Sequence, residues 1–143
     1  MNKIFFIFFI TLFPLNSIAN EISVIDAAKE LNNDLIIIDV RNIDEWKETG
    51  IIPNSKLIQM LSSEGTIRKG FVSELVTTLG EDKNIKAAII CRSGRRSSAT
   101  VAMLKEQGFT NIFNITNGML GDGKTTGWVN RNLPIIVCKD ECK

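Results

Sequence analysis

Two unbroken apolar runs do most to restrict the folds open to this chain of 143 residues. Leu35-Ile36-Ile37-Ile38 lacks the alternation of a strand that is wetted on one face, so both of its faces must be covered, as in a parallel sheet. Ala87-Ala88-Ile89-Ile90 repeats the pattern, and Ile112-Phe113-Asn114-Ile115 supplies a further strand. Helical patterns separate them. Ser23 caps a first helix with Asp26 as its capping-box partner, and Asn32-Asn33 stops it. Val24, Ala27, Ala28 and Leu31 fall on one apolar face of that helix. A short polar helix over 43–48 ends at Gly50, and Leu57-Ile58 reads as a short strand. Phe71, Leu75, Val76 and Leu79 line a helix closed by Gly80. The run from Ser97 to Gln107 forms the last helix, stopped by Gly108. This alternation predicts an α/β domain whose mainly parallel central sheet is flanked by helices on both faces. Ligands gather at the carboxyl ends of strands in such sheets, and Asp39 and Cys91 both stand there.

The amino-terminus has a different character. Met1-Asn2-Lys3 is a short basic start, residues 4–15 are almost wholly apolar, and Ser17-Ile18-Ala19 places small residues where a signal peptidase reads. This layout predicts a secretory signal over residues 1–19, cleaved after Ala19, and an exported, periplasmic protein beginning at Asn20. The apolar stretch is too short for a spanning helix and is interrupted by Pro14; a retained anchor is the alternative. Residues 20–143 suffice for one domain and are too few for two. Loss of Lys3 takes the formal net charge from +1 to balance. Such a balance argues against nucleic acid or an acidic membrane surface as a partner.

Positive charge is instead local. Cys91-Arg92-Ser93-Gly94-Arg95-Arg96 joins a buried strand to a helix N-terminus. A sulfur there faces unpaired backbone N–H groups and the positive helix end, and three arginines add charge that favours a thiolate. The pattern suits a nucleophile that receives a small anion.

The loop from Cys91 to Ser97 resembles the active-site loop of single-domain rhodaneses, the sulfurtransferase family. Ile38-Asp39-Val40-Arg41 with Glu45-Trp46 is similar to that family's Asp-Val-Arg motif, and residues 50–55 to its Gly-His-Ile-Pro-Gly-Ala turn. Asn117-Gly118, Trp128 and Leu133-Pro134 echo its closing features, so the likeness spans nearly all of residues 20–143. It implies a rhodanese-like fold and an enzyme that needs no cofactor and no metal. In the implied reaction, a Cys91 persulfide carries sulfur from thiosulfate or a similar anionic donor to cyanide or a thiol. Arg92, Ser93, Gly94, Arg95, Arg96 and Ser97 would bind donor and persulfide. Arg92 and Arg95 are expected at the loop's outer side, and Arg96 is expected to fold back as a brace. Asp39, Arg41 and Glu45 are expected in support, through an Arg41–Glu45 pair.

Departures from the family pattern narrow the chemistry. The turn's histidine is Ile51, and the chain contains no histidine, so no imidazole serves as general base. Met119 replaces the second glycine of the closing pair, and a glycine-rich insertion follows at 121–127, either a rim loop that alters acceptor fit or a tolerated surface loop. Four residues separate Cys91 from Arg96, whereas cysteine phosphatases and arsenate reductases, which the arrangement also resembles, use five. The tighter ring suits one sulfur atom better than a tetrahedral phosphate. Trp46 and Trp128 are expected as core or rim aromatics. Cys138 and Cys142 remain: a terminal disulfide in an oxidising compartment, or a redox-active pair that exchanges with Cys91 or a partner thiol. A non-turnover carrier that hands sulfur to a protein partner is the alternative to the enzyme.

Overall fold

The computed structural model describes residues 20–142. Five strands form one sheet: β1 (Glu21–Ile22), β2 (Ile36–Asp39), β3 (Lys56–Leu57), β4 (Ala87–Ile90) and β5 (Ile112–Ile115). Their order is β1-β5-β4-β2-β3, and every neighbouring pair is parallel. The longer helices are α1 (Val24–Lys29), α2 (Ile43–Thr49), α3 (Phe71–Leu79) and α4 (Arg95–Glu106).

Strand pleat decides which side chain goes to which face. Ile38, Ala87, Ile89 and Ile112 pack on one face with Phe71, Leu75 and Leu79 of α3 and Val101 and Leu104 of α4. Ile37, Ala88, Ile90 and Ile115 pack on the other with Val24 and Ala27 of α1, Met119 and Trp128. The central strands β2 and β4 are therefore covered twice, which is why they lack polar alternation. Continuing the β4 alternation from Ala87 and Ile89 puts Cys91 on the α3–α4 face, where it belongs to the same apolar cluster.

Several boundaries differ from the sequence expectation. Strand β2 runs one residue later than 35–38, and β3 one residue earlier than 57–58. Helix α1 stops at Lys29, before the apolar Leu31. Helix α4 begins at Arg95 because Gly94, at φ 99°, turns the chain into the helix. Strand β1 was not foreseen: two residues carry no periodicity, and only pairing with Asn114 and Ile115 defines it. The predicted leader, residues 1–19, lies outside the described residues. Among the described residues, no helix is long and apolar enough to cross a membrane.

Candidate functional site

Cys91 follows directly on β4 at the sheet's carboxyl edge and is almost completely buried. Its sulfur accepts the Gly94 backbone N–H at 3.2 Å and lies 3.3 Å from the Ser97 hydroxyl. Both donors arise from one turn of chain: Gly94 adopts the left-handed backbone that reverses it, and Ser97 sits in the first turn of α4. The partial positive charge of that helix end also points at the sulfur.

The loop is clamped from behind. After β5, the main chain of Met119 donates to Cys91 O at 2.9 Å, and that of Leu120 to Arg92 O at 2.9 Å. Gly118 makes this approach feasible, since a Cβ there would lie 2.4 Å from Cys91 O and 2.7 Å from Arg92 O. Met119, in place of the family's second glycine, is buried in the core beside Trp128.

Of the loop arginines, Arg92 and Arg95 are exposed, on the outer side as expected. Arg96 turns back and forms a two-pronged pair with Glu45 of α2, at 2.8 and 2.7 Å. Burial works against both charges. The hydrogen bond from Arg96, helped by the Asn42 N–H, nevertheless holds the Glu45 carboxyl below its ordinary range. Reciprocally, and also against burial, Glu45's hydrogen bond and charge, then the charges of Cys91 and Asp39, hold the Arg96 guanidinium above its ordinary value.

The expected Arg41–Glu45 ion pair is not formed. Arg41 pairs with Asp39 at 2.7 Å, both fully buried, and touches Glu45 only at its main-chain oxygen, at 3.2 Å. Its other donors go to Thr49 Oγ1 at 2.6 Å and Gly50 O at 2.9 Å. The physical reason is position. Asp39, at the end of β2, meets the guanidinium inside the fold, where an unpaired charge would be costly. The Glu45 carboxylate faces the cysteine loop instead. Asp39 and Arg41 thus fasten β2 to α2, and Glu45 with Arg96 fastens α2 to α4.

Ile51, at the family's histidine position, is buried against Trp46, Cys138 and Cys142. It exchanges two main-chain hydrogen bonds with Ile136, at 3.0 and 2.9 Å, so the C-terminal tail occupies that side of the turn. Cys138 and Cys142 are joined as a disulfide with Cα atoms 5.9 Å apart, in a turned segment that ends in a 3-10 helix. Trp128 is fully buried and its indole N–H donates to Pro134 O at 2.9 Å. The 121–127 insertion closes on itself. Asp122 accepts the Lys124 and Thr125 N–H groups and the Thr125 hydroxyl, and the Thr125 bonds chiefly bring its carboxyl down to about 2.

One site residue escaped sequence reasoning. Asn114, 4 % exposed in β5, accepts the Ser97 hydroxyl at 2.7 Å. A polar residue inside Ile112-Phe113-Asn114-Ile115 was the available signal.

Known proteins share the family and the fold of this chain. The profile of the family described as Rhodanese-like domain matches residues 23–122. YtwF of Bacillus subtilis (strain 168), provisionally named a sulfurtransferase, is 37% identical over 97 residues, 67% of this chain and 82% of that protein. YrkF of the same organism, provisionally named a sulfur carrier protein, is 35% identical over 95 residues, 66% of this chain but 43% of that longer protein. Among solved structures, Rv0390 from M. tuberculosis superposes with a TM-score of 0.70 at 25% identity, covering 84% of this chain and 98% of that one.

Proposed function

The chain belongs to the rhodanese-like domain family, and from that premise we propose that it is a sulfurtransferase working through a Cys91 persulfide. The observation that carries this reading is the pair of donors, Gly94 N–H and Ser97 Oγ–H, converging on a buried sulfur at a helix N-terminus. The fixed Gly94 N–H stabilises an anion without reorganising during the reaction, and the Ser97 hydroxyl lies within reach to join it. With no histidine in the chain, thiolate stabilisation falls to the loop.

In the first half-reaction, the Cys91 thiolate attacks the outer sulfur of thiosulfate. The sulfur–sulfur bond of the donor breaks, sulfite leaves with the electron pair, and the outer sulfur stays on Cys91 as a persulfide anion. Exposed Arg92 and Arg95 raise the local concentration of the dianionic donor. In the second half-reaction, cyanide or a thiolate attacks that terminal sulfur and releases the Cys91 thiolate. Asp39, Arg41, Glu45 and Arg96 keep the loop in place rather than meeting the substrate.

Thiocyanate production from thiosulfate and cyanide tests the reading. The wild-type protein should turn over many times, and Cys91→Ser should not; equal output from the two proteins refutes it. Similarity to YrkF favours a second reading, a carrier that hands its sulfur to one protein thiol. A carrier loads one sulfur but shows no sustained turnover with small acceptors. The signal-like sequence of residues 1–19 supports a proposed export to the periplasm as the setting.

A further inference from the structure

The Ser97 hydroxyl has one proton and two acceptors: Asn114 Oδ1 at 2.7 Å and Cys91 Sγ at 3.3 Å. Cys91 and Ser97 are almost completely buried, so water does not readily reach the hydroxyl between its two acceptors. When Cys91 is a thiol, the chain of donors can run from S–H to Ser97 Oγ, and from Ser97 O–H to Asn114 Oδ1. When the sulfur is an anion, it needs the Ser97 proton itself. Asn114 Oδ1 then loses its donor, which is costly for a buried polar atom.

An amide has a second end. Turning the Asn114 amide over puts Nδ2–H on Ser97 Oγ and frees Ser97 O–H for the sulfur, so the chain reverses direction with its donors still used. The displaced Oδ1 has somewhere to go. Asn114 lines a groove of about 710 Å³ beside α4, together with Ser93, Gly94, Arg95, Ser98 and Asn117, where water can meet whichever amide end is turned outward.

We propose that Asn114 is a positioning residue that sets where the Ser97 proton lies, and thereby how readily Cys91 becomes the attacking thiolate. The inference rests on the sulfur-transfer reading for its purpose, but its test does not depend on turnover. The charged groups around the sulfur are Arg92 in the loop, Arg95 and Arg96 on α4, Asp39 and Arg41 at the end of β2, and Glu45 on α2. All stay constant across the variants below, and β5 contributes no titratable side chain.

The decisive readout is the pH titration of thiolate ultraviolet absorbance, which Cys91 alone supplies while Cys138 and Cys142 are bridged. The chain has no tyrosine to interfere. Asn114→Asp can only accept, holds the Ser97 proton away from sulfur, and should move the midpoint to higher pH. Asn114→Leu removes both the competing acceptor and the Nδ2–H donor, and should titrate at lower pH than Asn114→Asp. Persulfide formation from thiosulfate at neutral pH should fall about tenfold in Asn114→Asp, the size of one buried hydrogen bond. In a Ser97→Ala background the Asn114→Leu shift should vanish and the Asn114→Asp shift should shrink to its charge effect. A midpoint for Asn114→Leu at or above that of Asn114→Asp overturns the proposal, as does a Leu shift that survives Ser97→Ala. If Asn114→Asp fails to fold, the Leu variant with and without Ser97 decides alone. A protein that titrates as expected but makes no thiocyanate sinks the sulfurtransferase reading and leaves this one standing.

Discussion

Gly118 shows how narrowly the site depends on single atoms. Its missing side chain lets the turn after β5 lie against the carbonyls of Cys91 and Arg92, and its φ of 58° is itself one that side chains rarely adopt. Gly118→Ala should destabilise the fold by about 1–3 kcal/mol, from backbone strain and overpacking. It should also slow persulfide formation, because the displaced atoms are those of the nucleophile's own peptide. Chemical denaturation and the thiocyanate assay check the two parts separately. An active, fully stable Gly118→Ala protein contradicts the described packing. The neighbouring Met119 shows the opposite economy, since at that position the side chain turns into the core and only its N–H serves the loop.

Between elements, the link that matters for the site is Glu45 to Arg96. Its pH dependence follows from the direction of the Glu45 shift. A carboxyl whose folded value lies below its ordinary 4.5 contributes stability that is fully present above about that pH, and loses it as pH falls through the lower folded value. Glu45→Gln should therefore be less stable than wild type at neutral pH, and the gap should close as the solution is acidified below the ordinary carboxylate range. Thermal melts across that range test it; a gap independent of pH argues against the pair. This link was half legible in the sequence. The sequence predicts that Arg96 folds back but pairs Glu45 with Arg41, because a spacing of four residues is visible in a sequence and a contact between residues 45 and 96 is not. The same limit explains the strands. Ala87–Ile90 and Ile112–Ile115 declare themselves by composition, whereas Glu21–Ile22 is a strand only because β5 lies beside it. Asn114 is missed for a related reason: its partner Ser97 is distant in sequence, and only the packing of α4 against β5 brings them together.

At the scale of the whole molecule, the C-terminal tail is fastened to the turn that follows α2. The tail pairs with Ile51, covers Gly50 closely enough that a Cβ there would lie 2.6 Å from Ile136 O, and is tied off by the Cys138–Cys142 bridge. Where the family's turn histidine would stand, this chain has apolar packing and a disulfide. That arrangement suits an oxidising compartment, in which Cys91 is the one thiol left free among the described residues. Protein recovered from the periplasm should begin at Asn20 and have the mass of a single intact disulfide. A product retaining residues 1–19, or one with three free thiols, contradicts the export reading.

In the proposed reaction, Cys91 holds one transferable sulfur atom. Intact-mass spectrometry after incubation with thiosulfate alone measures this most directly. A gain of one sulfur is expected on the peptide containing Cys91, absent in Cys91→Ser and removed by cyanide with stoichiometric thiocyanate. An unchanged mass, or sulfur found on Cys138 or Cys142 instead, would contradict it.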